Sequence, residues 1–84
     1  MGADKPEIKT LQQILNKLNF TISLEGPGSI GNETTYFGQL TKDALSRFQL
    51  KSNIAPPNGR LGPQTRLFMN LYYKLFVLMG EIKD

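Results

Sequence analysis

Phe37-Gly38-Gln39-Leu40-Thr41, followed by Ala44, Leu45, Phe48 and Gln49, is the stretch on which the fold turns. A weaker copy follows 24 positions later (61 − 37): Leu61-Gly62-Pro63-Gln64-Thr65, then Phe68 and Met69. Each copy reads as an apolar residue, a glycine, two variable residues and a threonine, opening a run of apolar positions at helical spacing. Pro63 fixes the register. Proline is favoured at the first helical position, where its missing N–H would be unpaired anyway. Gly62 is then the N-cap and Thr65 the third helical residue, and the repeat carries the same roles to Gly38 and Thr41. At that position the threonine hydroxyl is expected to reach back toward the N-cap backbone, as a capping-box side chain does. The glycine lets the incoming turn approach closely.

Working outward, helix two is expected over about 38–52. Leu40, Ala44, Leu45 and Phe48 form its inner face; Lys42, Asp43, Ser46 and Arg47 lie largely away from it. Helix three follows over about 63–79. From Leu71 to Met79 it is apolar nearly all round, more than a terminal helix of a small bundle can bury. The surplus is expected to pack under the Phe20–Tyr36 loop and to face a neighbouring domain or a second copy, with Tyr73 and Val77 on that face. Helix one is expected to begin near Asp4, which has capping-box spacing with Glu7, and Pro6 is tolerable in a first turn. Ile8, Leu11, Ile14, Leu15 and Leu18 then form one apolar stripe. Asn19 and Asn53, each followed by a hydrophobe (Phe20, Ile54), read as left-handed helix ends.

The links carry their own signals. Phe20-Thr21-Ile22-Ser23-Leu24 alternates apolar and polar, which predicts a short extended segment. Gly26-Pro27-Gly28-Ser29-Ile30-Gly31 matches G-x-G-x-x-G by letter. A dinucleotide fingerprint, however, needs a strand before it and a helix opening directly from it. Here the next helix waits until Gly38, so the stretch is a structural loop. Ala55 to Arg60 is turn-rich, and Asn58-Gly59 is its strongest signal. The expected fold class is all-α: a small three-helix bundle with a long loop between helices one and two. One domain over 1–84 is expected, with a core over about 4–79, cut from a longer protein.

Composition narrows the chemistry. The 84 residues suffice for one small domain, and 39% hydrophobic with 20% charged residues fits a folded chain. Neither cysteine nor histidine is present, so disulfides, thiolate metal sites and Ser-His-Asp or Cys-His mechanisms are excluded within the chain. Glu25, Glu33, Asp43 and Glu81 are scattered, without the convergent pair that acid–base hydrolysis needs or the spacing of a metal loop. No catalytic activity, cofactor or metal is expected. The net charge of +3 is dispersed and favours an anionic partner only weakly. No apolar stretch is long enough to span a bilayer. A helix-turn-helix reader of DNA joins its last two helices by a turn of about 3–4 residues. Here 53–61 intervenes and helix three lacks a polar face, so no nucleic-acid partner is expected.

With the two G-x-x-T helices placed, the chain resembles the three-helix peptidoglycan-binding domain found attached to bacterial cell-wall hydrolases. The shared residues are Leu11-Gln12, then Phe37, Gly38 and Thr41, then Ala44, Phe48 and Gln49, and finally Gly59, Gly62 and Thr65. The resemblance covers roughly residues 7 to 72. Three departures stand out: Thr34-Thr35 where the family usually has Asp-Gly, the Gly26–Thr35 insertion that lengthens the first link, and Asn53 where a glycine usually ends helix two. The resemblance implies a non-catalytic module that holds a parent enzyme on peptidoglycan at the bacterial envelope, outside the cytoplasm. The partner would be a glycan or stem peptide, with helix three free to touch the parent catalytic domain. Candidate contacts are Tyr36, Gln39, Arg47 and Gln49 from the first copy and Asn58, Arg60 and Gln64 from the second, where the two helix starts are expected to converge. An aromatic stacks on a sugar face, amides meet hydroxyl and peptide groups, and arginine meets a carboxylate. Each has a plainer structural alternative: Gln49 bonding inter-helix backbone, Arg47 as a solvated surface residue, Tyr36 covering the core.

Overall fold

The computed structural model describes residues 6–82, so the expected helix start near Asp4 and its capping-box role lie outside the described residues. Three helices are present: α1 (Pro6–Lys17), α2 (Gln39–Lys51) and α3 (Pro63–Leu78), with no strand among the described residues. The protein is all-α, a small bundle. α1 is the middle element and packs against both of the others. Its stripe of Ile8, Leu11, Ile14 and Leu15 is buried, and Leu18 is partly buried beside it. Those residues recur at helical spacing, so one face of α1 covers both partners.

Phe48 fills the centre. Its ring meets Phe20, Phe68 and Tyr72 edge-on, at centroid distances of 5.7, 6.2 and 6.1 Å. Such pairs each contribute about 0.5–1.5 kcal/mol beyond simple burial. α2 buries Thr41, Ala44, Leu45, Phe48 and Gln49, a stripe that begins at Thr41. Leu40, expected on that face, is 56% exposed. It precedes Thr41 by one residue, a rotation of about 100°, and so falls outside the stripe.

N-caps fall at Gly38 and Gly62, with Pro63 first in α3, in the register that the repeat predicts. All three helices end alike. Asn19 (φ 69°), Asn53 (φ 58°) and Gly80 (φ 76°) take the left-handed conformation. The following N–H groups of Phe20, Ile54 and Glu81 return to the carbonyls of Leu15, Gln49 and Phe76 at 2.8, 2.9 and 2.9 Å. This is the Schellman pattern, which satisfies carbonyls the helix leaves unpaired. It also turns the chain inward. Phe20 reaches the core, while Ile54 and Ile82 are buried.

Two expectations meet a different outcome. Residues 20–24 form no strand. Alternation makes a strand only where a neighbouring strand can pair its backbone. Here Ile22 N–H donates to Asn16 Oδ1 (3.2 Å), and Thr21 C=O accepts from Arg47 Nη2 (2.8 Å). In α3 the apolar surplus is real, but its outward residues are Leu67, Leu71, Leu75 and Leu78. Tyr73 and Val77 are partly buried against the core, and Phe76 turns inward beneath Lys17, whose Nζ lies 5.9 Å from the ring centroid.

Candidate functional site

The starts of α2 and α3 are each held by one buried glutamine from the preceding helix. Gln12 of α1 donates through Nε2 to Tyr36 C=O (3.0 Å) and Thr41 Oγ1 (2.9 Å), with a longer contact to Thr34 Oγ1 (3.4 Å). Its Oε1 accepts from Thr34 N–H at 2.6 Å. Gln49 of α2 repeats this one helix later. Its Nε2 donates to Arg60 C=O (2.7 Å) and Thr65 Oγ1 (3.0 Å), and its Oε1 accepts from Gly59 N–H (2.8 Å). In both cases the accepting carbonyl stands five positions before the threonine (41 − 36 and 65 − 60).

The repeated threonines therefore serve a different end from the expected capping box. Thr41 and Thr65 are 3% and 2% exposed, and their hydroxyls receive hydrogen bonds from the glutamine amides. A buried amide must have its donors and acceptor paired, and threonine at the third helical position supplies the missing acceptor.

A shallow groove opens beside each start. The first, of about 180 Å³, is lined by Gln12, Ile22, Pro27, Gly28, Thr34, Tyr36, Gly38, Gln39, Leu40 and Thr41. No lining residue is charged. Tyr36 is 58% exposed and its ring lies over Gly38, where any Cβ would collide with it. The second groove, of about 450 Å³, is lined by Gln49, Ile54, Ala55, Pro56, Asn58, Arg60, Gly62, Pro63, Gln64 and Thr65. Arg60 is its one charged lining residue.

The expected site residues thus divide. Tyr36 and Gln39 line the first groove; Gln49, Asn58, Arg60 and Gln64 line the second. Gln49 is 1% exposed, with its amide hydrogens and carbonyl committed to protein groups. Gln39 donates to Asp43 Oδ1 (2.8 Å) and remains exposed. Arg47 lines neither groove and holds Thr21 C=O instead. The link that leads into α3 lies against α2. A Cβ on Gly59 (φ 73°) would stand 2.6 Å from Lys42 O in the first turn of α2, and Ser46 Oγ donates to Pro57 C=O. The grooves nevertheless share no lining residue.

Sequence reasoning missed Asn16. One turn beyond Gln12 on α1, it is 4% exposed and donates to Gly28 C=O (3.0 Å) and Glu33 Oε2 (2.9 Å) while accepting from Ile22 N–H. It fixes the loop whose Pro27 and Gly28 wall the first groove. The loop also closes on itself: Gly28 N–H donates to Asn32 C=O (2.8 Å), and Ser29 Oγ to Gly26 C=O (2.6 Å). Asn16's place one turn after Gln12 was the available signal.

A further cleft, about 220 Å³ between α1 and α3, holds none of the expected residues. Arg66 and Glu7 pair across its rim at 2.8 Å. That hydrogen bond raises the Arg66 pKa above its usual value, and burial opposes it. No cluster of three or more potential ligands for a metal occurs among the described residues, and none of their helices is long and apolar enough to cross a membrane.

Among known proteins, the family model described as "Putative peptidoglycan binding domain" matches residues 4–69. No curated protein and no solved structure gives a match.

Proposed function

Because the chain belongs to the peptidoglycan-binding domain family, matched over residues 4–69, we propose that it is a non-catalytic module that holds a parent enzyme on bacterial peptidoglycan, outside the cytoplasm. The observation that carries this reading is the pair of grooves at the helix starts. Each is built on a fully bonded glutamine and edged with side chains suited to cell-wall chemistry. Tyr36 offers an aromatic face, Gln39, Asn58 and Gln64 offer amides, and Arg60 offers a cation. Grooves whose walls are hydrogen-bonded in place lower the ordering cost of binding, which matters for a domain this small. The leucine stripe of α3 is the surface suited to a neighbouring domain of the parent enzyme. That stripe also counts against a nucleic-acid reader, which would need polar and basic groups on α3.

The test is co-sedimentation of the purified domain with insoluble peptidoglycan over a range of salt, with duplex DNA as a competitor. The expected result is pelleting that DNA does not reverse and that salt only partly weakens. Absence of pelleting at low salt would sink the proposal. Displacement by DNA would reduce the interaction to general charge attraction. Light scattering on the same sample is expected to show a concentration-independent monomer, leaving the α3 face for the parent; a dimer would assign that face to a second copy.

A further inference from the structure

Tyr36 and Arg60 occupy the same position of the repeat. Each lies two residues before its N-cap glycine, and each gives its carbonyl to the glutamine that holds its helix start. Both carbonyls are used in the same way, so the difference between the copies at this position lies in the side chains. One copy points an exposed ring along an uncharged groove. The other places an exposed guanidinium on a groove with no carboxylate in its lining. Neither the Tyr36 hydroxyl nor the Arg60 guanidinium has a partner among the described residues, whereas Arg47 and Arg66 are both engaged.

We infer that the two grooves divide the polymer between them, the Tyr36 groove taking the neutral sugar backbone and the Arg60 groove taking a free carboxylate of the peptide. The inference rests on the peptidoglycan reading above and goes beyond it by assigning one chemical class to each copy of the repeat. A ring held over a glycine presents a flat apolar face, and Pro27 and Leu40 extend it; this suits the C–H face of a pyranose, with Gln39 for its hydroxyl and acetamido groups. Arg60 presents a planar donor fork matched to a carboxylate, with the Asn58 and Gln64 amides beside it for peptide groups. A sugar gains little from the cation, and a carboxylate gains nothing from an uncharged groove that must desolvate it. The long loop held by Asn16 therefore builds a wall for the glycan groove alone.

The experiment is competition against pelleting with intact peptidoglycan, using two probes: an N-acetylglucosamine tetramer and a short stem-type peptide ending in D-alanyl-D-alanine. Four proteins are compared: the parent, Tyr36→Ala, Tyr36→Phe and Arg60→Gln, with unchanged melting temperature as the control for folding. Both probes are expected to compete with the parent. Tyr36→Ala weakens the sugar probe about tenfold and leaves the peptide unchanged, while Tyr36→Phe, which keeps the ring, restores the sugar. Arg60→Gln weakens the peptide about tenfold and leaves the sugar unchanged. Peptide competition falls with added salt and sugar competition does not. A substitution that weakens both probes alike, the reverse assignment, or a parent that pellets but yields to neither probe overturns the division while leaving the binding-module reading intact. A parent that does not pellet overturns both.

Discussion

Residues 18–38 and 52–62 both carry the chain from a left-handed helix end to a glycine-capped helix start, and both hang from a buried glutamine. They differ in length and in what else holds them. The shorter link lies directly on α2, with Gly59 against Lys42 and Pro57 bonded to Ser46, and its glutamine spans two adjacent residues, Gly59 and Arg60. The longer link cannot be fixed by one amide, so α1 supplies a second one turn later. Gln12 takes the half that leads into α2, and Asn16 takes the Gly26–Glu33 half. The comparison teaches that the longer link is held by a second buried amide on the helix beneath it. Loop-closure entropy grows slowly with length, so the cost of the greater length is chiefly the pairing of its backbone groups.

The largest effect expected from breaking this arrangement falls on the shorter link. Gln49→Leu leaves Gly59 N–H, Arg60 C=O and the Thr65 hydroxyl without a partner; Gly59 and Thr65 are buried. Each buried group left unpaired costs about 1–3 kcal/mol, so a loss of roughly 3–4 kcal/mol is expected. Gln12→Leu is expected to cost about half as much by the same accounting, because Tyr36 is exposed and Thr34 half-buried, and water can serve both. Urea unfolding of the two variants checks this. Equal losses would show that the two glutamines are energetically interchangeable and that exposure of their partners does not matter.

How much of this could be read from the chain follows from how local each signal is. Pro63 and the glycines placed the helix starts because they act through their own backbone. Asn19 and Asn53 placed two helix ends for the same reason; the third, expected near Met79, falls at Leu78, just before Gly80. The amide bonds were beyond such reading. Gln12 and Thr41 are 29 positions apart, and nothing in either residue names the other. Gln49 was legible as a choice between ligand contact and inter-helix backbone, and burial supplies the backbone bonds. The division of Tyr36 and Gln39 from Asn58, Arg60 and Gln64 was also hidden, because a repeat in sequence reveals equivalent positions without revealing whether they face one space.

An intermediate effect isolates the half of the long link that Asn16 holds. Asn16→Leu removes the partner of Ile22 N–H and Gly28 C=O but leaves Gln12 and all its bonds in place. The expected loss is about 1–2 kcal/mol. It should be local: the amides of Ile22, Gly28 and Asn32 exchange faster with solvent, while Gly59 and Ile54 keep their protection. Faster exchange throughout would mean that the loop is part of the bundle's cooperative unit and not a fixture added to it.

The smallest effect tests what the two links have in common. Asn19 and Asn53 hold the same left-handed conformation and close the same pair of backbone bonds, at 3.1 and 2.8 Å for the first and 3.3 and 2.9 Å for the second. Asparagine adopts this conformation with some steric cost, which glycine avoids, but glycine also gives the unfolded chain more freedom to lose. These terms oppose each other, so Asn19→Gly and Asn53→Gly are each expected to stabilise by no more than about 0.5 kcal/mol. The two gains should match, since neither asparagine depends on the length of the link that follows it. If Asn19→Gly gave a clearly different value, or the opposite sign, the long loop would be straining the end of α1. The difference between the links would then begin at the helix end, one turn before the point where Ile22 first meets Asn16.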